Sequence, residues 1–220
     1  MTVSTRHSLT EGQFEALGAA VETAMRRSAE TLSEMSGVPI AISAAAIEIV
    51  PLAEVPTAVG SPEEPAIGVY VGIEGDGAGY VLVLLDEPMA EDLAALMLGE
   101  EPGSIPVEDE LAASALAEAG NVSCSAFMNA LGEATGLTLM AMPPVVIGDM
   151  RGAIMDVAIA DIAQHGDEAL LIKTQLAPAD APEHGAAGVV NARLLAIPTP
   201  ETLDAILQRL DRSGGVQAEA

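Results

Sequence analysis

The feature that most constrains the fold is an internal duplication. Residues 32–38 (LSEMSGV) match residues 131–137 (LGEATGL) at an offset of 99, and residues 84–98 match residues 194–208 at an offset of 110. Each half has the same order of patterns: a long helix, a strand, a hairpin and a second helix. Two such halves can pair their strands into one sheet that the helices cover. The sequence therefore predicts an α+β fold with pseudo-two-fold symmetry, in which an antiparallel β-sheet carries two long helices.

Turn residues and hydrophobic periodicity place the elements within each half. Ser8 or Thr10 can cap a first helix, and Gly37 is a typical stop after it. Two β-rich runs on either side of GDGAG predict a hairpin. The predicted helices cover about 11–35, 89–99, 108–134, 150–163 and 201–210, and the predicted strands cover 38–50, 66–74, 80–87, 137–147 (broken at Pro143–Pro144), 169–177 and 187–197. The Pro-rich segment 51–65 is predicted to be a loop.

These elements form one domain in our interpretation, because neither half alone offers enough apolar surface for its own core. We expect a flexible tail at 1–10 and a disordered tail at 211–220. The domain between them covers 11–210, with pseudo-repeats at about 11–100 and 108–210.

The charge and the cysteine content exclude several classes of function. The chain has 33 acidic and eight basic residues, giving a formal charge of −25. With so few basic residues the chain cannot neutralise phosphates, so nucleic acid is not expected as a partner. Insertion into a membrane is not expected either, because no apolar run is long enough to span one. A lone Cys124 and the absence of an apolar signal segment predict a soluble, cytoplasmic protein. The acidity fits either a salt-rich cytoplasm or simple solubilisation.

The predicted helix at 108–134 carries the grouping that looks most suited to chemistry. At about 100° per residue, Ser114, Glu118 and Asn121 fall within a narrow arc of one face, surrounded mostly by apolar residues. Gly120 lies between the last two and costs a helix about 1 kcal/mol relative to Ala, which is tolerable where another group must come close. Exposed Glu and Asn are common on helices, so spacing alone favours ordinary solvation.

The same residues resemble the signature of a known family. Ser114, Glu118, Asn121 and Pro144 fit the pattern Ser/Asp-x3-Glu-x2-Asn-x22-Pro of the CheC/CheX/FliY chemotaxis phosphatases. The segments GVYVGIEGDGAGYVLVLL and MRGAIMDV and the duplicated halves look like CheC over about residues 12–210. Because little chain follows residue 210, we expect a CheC-like single domain without a flagellar-switch module.

The resemblance implies that the chain dephosphorylates the aspartyl phosphate of a CheY-type response regulator. Asn121 would orient the attacking water and Glu118 would dock the receiver through its lysine, with general-base catalysis by Glu118 as the competing role. Ser114 and Pro144 would have supporting roles. The chain would need no cofactor or metal of its own, since Mg²⁺ is expected on the receiver domain.

The duplication supplies an internal comparison for this motif. At an offset of 99 the trio corresponds to Glu15, Ala19 and Glu22, so the first helix lacks both the carboxylate and the carboxamide at the matching places. Many CheC proteins carry the pair in both halves. We therefore expect one active site, with a degenerate first half.

Other candidate residues have simpler explanations. His7, His165 and His184 are far apart and show no zinc-ligand spacing. The glycines of 75–79 link two strands and precede no Lys-Ser/Thr, so a hairpin turn is favoured over a phosphate loop. Cys124 is expected to be a small core residue.

Two classes of function stay open from the sequence. The first is a phosphatase that acts on a phosphorylated CheY-type regulator. The second is a catalytically weak binding module, which would act through the receptor deamidase CheD or sequester phosphorylated CheY. The intact Glu118/Asn121 pair favours the enzyme, whereas the lost first pair and the negative charge leave room for the binding module.

Overall fold

The computed structural model describes residues 9–37, 39–162, 168–178 and 190–215. Within them the α-helices are Glu11–Ser36 (α1), Val55–Ala58 (α2), Glu87–Leu98 (α3), Glu110–Thr135 (α4), Arg151–Ile162 (α5) and Pro200–Gly215 (α6). The strands are Ile40–Pro51 (β1), Pro65–Gly75 (β2), Gly79–Asp86 (β3), Leu139–Ala141 (β4), Val145–Met150 (β5), Glu168–Pro178 (β6) and Val190–Pro198 (β7). None of the described helices is both long and apolar enough to span a membrane.

The two long helices are equivalent from end to end. Both α1 and α4 contain 26 residues. Thr10 caps the first and Asp109 caps the second, each with a side-chain oxygen that accepts from a backbone N–H. Each helix ends at a glycine in the left-handed conformation, Gly37 with φ 71° and Gly136 with φ 68°. All four positions are related by the offset of 99, which confirms the alignment of the first part of the duplication.

The strands form one antiparallel sheet with the order β1-β6-β7-β3-β2, and both β4 and β5 pair with the outer side of β2. With β5 counted beside β2, the order is β1-β6-β7-β3-β2-β5. When β1 is exchanged with β5, β2 with β6 and β3 with β7, the same order results, read from the opposite edge. The sheet is therefore palindromic in its repeats, with the pseudo-two-fold axis between β3 and β7. The predicted α+β fold, with an antiparallel sheet shared by two halves, is confirmed.

The two faces of the sheet have separate apolar cores, because side chains alternate along each strand. Val69 and Val71 of β2 belong to the larger core, which also contains Val21 of α1 and Leu116 of α4. Tyr70 faces the opposite side, in a smaller core built with residues of α2, α5 and the 3₁₀ turn Leu52–Glu54. The long helices, together with α3 and α6, thus cover one face, and α2, α5 and the 3₁₀ turn cover the other.

The edge formed by β4 and β5 is interrupted where the sequence predicted a break. Between Ala141, which pairs with Ile73, and Val145, which pairs with Tyr70, the edge has three residues where β2 has two. Residues 143–144 are both proline, and they occupy this bulge. Proline lacks the N–H that a ladder needs, so a bulge in an edge strand accommodates it.

Two details of the predicted elements need correction. The segment 51–65 is not only a loop, because it contains a 3₁₀ turn and α2. Helix α6 begins at Pro200, in agreement with the predicted start at 201, but it continues to Gly215, beyond the predicted start of the tail at 211. Contacts with α1 explain the extension, since the Gln13 side chain donates to Leu207 O (3.1 Å) and to the Asp211 carboxylate (3.0 Å).

A buried arginine joins the smaller core to the sheet. The side chain of Arg151, at the start of α5, is 2% exposed. It pairs with Glu64 (2.5 Å), donates to Ser61 O (2.8 Å) and forms an ion pair with Asp86 at the end of β3. Arg193 of β7 lies 3.5 Å from the same Asp86 carboxylate. This network fixes α5 against the loop before β2 and the end of the central hairpin.

Candidate active site on helix α4

Helix α4 presents the predicted trio on its outer face. Ser114 and Glu118 are exposed, and Asn121 is half-buried. The opposite face is apolar and enters the main core through residues such as Leu116 and Phe127. The helical spacing therefore placed the three side chains correctly, on the side of α4 that a partner can reach.

The trio is also available for intermolecular contacts. In the part of the chain that the structure describes, no hydrogen bond or ion pair engages the side chains of Ser114, Glu118 or Asn121. Polar groups that hold a fold together are normally paired with one another, as Arg27 of α1 is with Glu133 at the far end of α4. A carboxylate and a carboxamide one turn apart thus project from α4 without a structural partner.

The depth of α4 on the sheet is set at Gly120. A Cβ at this position would lie 2.5 Å from Val69 Cγ1 and 2.8 Å from Val69 Cβ, both on β2. No side chain fits there, so the glycine allows the helix to lie directly on the strand. Gly120 adjoins Asn121 in sequence, and this contact therefore fixes where the carboxamide leaves the surface.

Pro144 lies on the neighbouring edge of the sheet. It is half-buried in the bulge between β4 and β5, and α4 packs against both of these strands. The structure thus puts three motif residues on one helix and the fourth on the strand edge beside that helix. A supporting role for Pro144 through the shape of this edge stays a prediction.

The first-half counterparts occupy the equivalent face of α1. Glu15, Ala19 and Glu22 are all exposed. Because α1 and α4 match in length and caps, these three positions correspond to the trio in place as well as in sequence. Two carboxylates and a methyl group thus stand where α4 has a hydroxyl, a carboxylate and a carboxamide.

The remaining candidates are resolved where the structure describes them. Cys124 is fully buried in the main core, and burial raises the pKa of its thiol, which fits a core residue and not a nucleophile.

The segment 75–79 is the turn between β2 and β3, and there the Asp76 carboxylate accepts from Thr138 N (2.9 Å). This hydrogen bond lowers the pKa of Asp76.

The described residues offer no metal centre. Among them, no three His, Cys, Asp or Glu side chains are grouped so that they could hold a metal ion. His7, His165 and His184 lie outside the described residues.

One residue of the site, Val69, was not found from the sequence. A mid-helix glycine such as Gly120 indicates that another group comes close, but it does not identify that group. The contact becomes visible only when β2 is placed beneath α4.

Comparisons with known proteins match the part of the chain that carries the motif. A sequence model for the family described as chemotaxis phosphatase CheX matches residues 67–164, which include all four motif positions on α4 and the β4–β5 edge. The CheY-P phosphatase CheC of Bacillus subtilis is 28% identical over 119 residues, which are 53% of this chain and 57% of that protein. The CheC1 protein of Halobacterium salinarum is 26% identical over 119 residues, which are 54% of this chain and 60% of that protein. The chain thus matches somewhat more than half the length of each of these relatives.

The fold has a counterpart among solved structures. The structure of FliY from Thermotoga maritima superposes with a TM-score of 0.75, covering 94% of this chain and 100% of that one at 19% sequence identity. At this identity the likeness concerns the fold alone. In sequence, the chain is similar to the CheC and CheX chemotaxis phosphatases over the segment that carries the motif.

Proposed function

We propose that the chain is a phosphatase that hydrolyses the aspartyl phosphate of a CheY-type response regulator. One observation carries the proposal: Glu118 and Asn121 project together from α4, reachable from solvent and without a partner among the described residues. The name of the Bacillus subtilis relative, CheY-P phosphatase CheC, supports this choice of substrate.

The reaction needs little from the enzyme beyond the position of a water molecule. The water oxygen bonds to phosphorus, the bond between phosphorus and the aspartate oxygen breaks, and the aspartate leaves as a carboxylate. The protons of the water pass to the phosphate product and to solvent. We propose that Asn121 orients this water, because a carboxamide both accepts and donates a hydrogen bond and is not consumed.

Glu118 is proposed to dock the receiver. Its carboxylate is exposed one turn from Asn121, so it can pair with a lysine of the receiver while the water is held. General-base catalysis by Glu118 is the competing role and would require the carboxylate to reach the same water. Ser114 would assist at the N-terminal side of this face, and Pro144 would shape the edge beside it.

No cofactor of the chain itself enters the proposal. We place the Mg²⁺ that balances phosphoryl charge on the receiver domain, whose phosphorylated aspartate it would adjoin. The chain then contributes one carboxamide and one carboxylate to a composite site that forms only in the complex.

Phosphate release from a phosphorylated receiver tests the proposal. Asn121→Ala and Glu118→Ala should each reduce the rate enhancement strongly, and Glu22→Ala should leave it nearly unchanged. If Glu22→Ala lost as much activity as Asn121→Ala, the first half would also be active and the single-site proposal would be wrong.

A second candidate function is a binding module that acts through CheD or retains phosphorylated CheY. The absence of the pair from α1 and the formal charge of −25 favour it. Direct binding measurements separate the two functions. A chain that binds the phosphorylated receiver tightly without accelerating its dephosphorylation would be a binding module.

A further inference from the structure

The half without the proposed catalytic pair has an open groove along its long helix. This groove lies between α1 and the free edge of β1 and has a volume of about 1360 Å³. Its floor is apolar, formed in part by Met25, Ile40 and Ile42, and Glu22 and Glu34 stand on its rim. Glu22 is the counterpart of Asn121, so the groove includes the place equivalent to the proposed catalytic carboxamide.

Two differences between the halves bear on the groove in the first half. Met128 fills the core beneath α4 and is 1% exposed, whereas its counterpart on α1 is the smaller Ala29, which lines the groove. Gly132 lets α4 approach the Leu137 carbonyl, since a Cβ there would lie 2.7 Å from that oxygen. The counterpart of Gly132 is Ser33.

Ser33 also sets the spacing between α1 and β1. Its hydroxyl oxygen accepts from Ile40 N (2.8 Å) and lies 3.4 Å from Ile40 O. The hydroxyl therefore bridges α1 to the first residue of β1. In the second half, by contrast, α4 lies in direct contact with the chain leading into β4. Beyond Ile40 the floor of the first-half groove stays uncovered by any described element.

The edge of β1 at this groove can accept another strand. Among the described residues β1 pairs only with β6. Along an antiparallel strand, the backbone N–H and C=O groups of successive residues point to opposite sides. Those of Ile40 point to Ser33, away from β6, so those of Ile42, two residues on, also point away from β6. Beside the groove, Ile40–Ala44 pair with β6 in unbroken register, and a register shift of β1 lies further along, between Ala44 and Ala46. This part of the edge has no proline, in contrast to the opposite edge with its Pro-Pro bulge. A regular edge without proline attracts a pairing segment.

The charge around the groove selects the kind of segment. Glu22, Glu30 and Glu34 line it together with one cation, Arg26, which is already paired with Glu30 (3.1 Å). The rim is thus acidic above an apolar floor. A second copy of this chain, with its formal charge of −25, is a poor electrostatic match.

We propose that this groove docks an extended segment of a partner protein with alternating basic and apolar side chains, which adds a strand to β1. Main-chain hydrogen bonds to β1 would give affinity, the apolar floor would take every second side chain, and the glutamates would pair with the basic ones. The proposal is independent of the phosphatase site, because none of these residues belongs to the trio on α4.

The test uses a short fluorescein-labelled peptide of alternating valine and lysine, and a version with glutamate in place of lysine. Gly18 lines the groove, and a Cβ there would meet nothing within 4 Å, so Gly18→Trp fills the groove without a clash at the backbone. Gly12 is equally open on the same helix but does not line the groove, which makes Gly12→Trp the matched control.

Gly18→Trp should weaken binding of the lysine peptide by about tenfold or more. Gly12→Trp should bind like the wild type. The double charge reversal Glu22→Lys/Glu34→Lys should also weaken binding of the lysine peptide. Its control is Glu63→Lys/Glu100→Lys, which makes the same change in net charge on exposed loops and should weaken binding much less. Hydrogen exchange at the Ile42 amide should slow when the peptide binds, and phosphatase activity of Gly18→Trp should stay at the wild-type rate.

Three results would overturn the proposal. The first is equal binding of the lysine and glutamate peptides, or no binding of the lysine peptide. The second is equal weakening by Gly12→Trp and Gly18→Trp. The third is a homodimer of the wild-type chain that Gly18→Trp dissociates, which would make a second copy the occupant of the groove.

Discussion

Gly120 of α4 and Val69 of β2 are in such close contact that a single added methyl group would overlap the valine, with its carbon 2.5 Å from Val69 Cγ1. The clash includes Val69 Cβ at 2.8 Å, which is too close to the backbone to swing aside. This contact holds the helix that carries the proposed active site at a fixed height above the sheet.

Gly120→Ala should therefore destabilise the protein although alanine is the better helix former. Overpacking costs about 1–3 kcal/mol, which exceeds the gain in helix propensity of about 1 kcal/mol. Chemical denaturation measures the change. Val69→Ala in the same chain should recover part of the loss in a double-mutant cycle.

A matched glycine provides the control for this prediction. Gly12 lies within α1, and a Cβ there would meet nothing within 4 Å. Gly12→Ala should stabilise the protein by up to about 1 kcal/mol through propensity alone. Similar effects of Gly12→Ala and Gly120→Ala would show that the Val69 contact is not decisive.

The ion pair between Arg27 and Glu133, which joins α1 to α4 by two hydrogen bonds of 2.8 and 2.9 Å, predicts an acid-sensitive contribution to stability. The hydrogen bond with Arg27 holds the pKa of Glu133 below its ordinary value. A group with a lowered pKa in the folded state stabilises the fold above its unfolded pKa, and the contribution disappears as the pH falls through the folded pKa. Glu133→Gln should therefore differ from the wild type near neutral pH and converge with it in acid.

Unfolding curves recorded from neutral to acidic pH check this expectation. Glu34 is the counterpart of Glu133 on α1 and is exposed, so Glu34→Gln should follow the wild type at each pH. A difference between Glu133→Gln and the wild type that grew as the pH fell would contradict the expected loss of the ion pair in acid.

Arg151 should be the most costly arginine to remove. Its side chain is 2% exposed and pairs with Glu64 and Asp86, so Arg151→Met leaves a partly buried carboxylate with only the more distant Arg193. We expect a loss on the order of 3 kcal/mol in the free energy of unfolding. Arg26→Met removes an exposed pair and should cost about 0.5 kcal/mol or less. Equal losses for the two variants would rule out a structural role for the Arg151 network.

Ionic strength should affect the proposed phosphatase reaction. The chain has a formal charge of −25, and receiver domains are often acidic too, so the two surfaces repel at low salt. Activity should tolerate or require raised ionic strength, where this repulsion is screened. The measurement is receiver dephosphorylation across a salt series, and a rate that fell steadily from low to high salt would contradict the expectation.

Local signals predicted much of the fold because they act over a few residues. Gly37 and Gly136 end their helices, and the turn at 75–79 forms the central hairpin, as their sequences indicate. The duplication predicted the pairing of halves, and the palindromic strand order confirms it.

Features that depend on distant contacts were not predicted. Helix α6 continues past 210 because Gln13 of α1 reaches Asp211, a contact that no local pattern reveals. The groove beside β1 follows from Ala29 and Ser33, whose effect appears only when the two halves are superposed. Likewise, helical spacing predicted the face of α4 that carries the trio, but not the Val69 contact that sets its height.

The central claim is that Asn121 positions the attacking water, and a single-turnover measurement tests it most directly. The phosphorylated receiver is mixed with excess chain, and the first-order loss of phosphate is followed for the wild type, Asn121→Ala and Asn129→Ala. Asn129 is the other asparagine of α4, and it is exposed and lies outside the motif. We predict that Asn121→Ala lowers the rate enhancement by about 100-fold, as expected when a positioning group is lost, while Asn129→Ala matches the wild type. A wild-type rate with Asn121→Ala would contradict this role for the carboxamide.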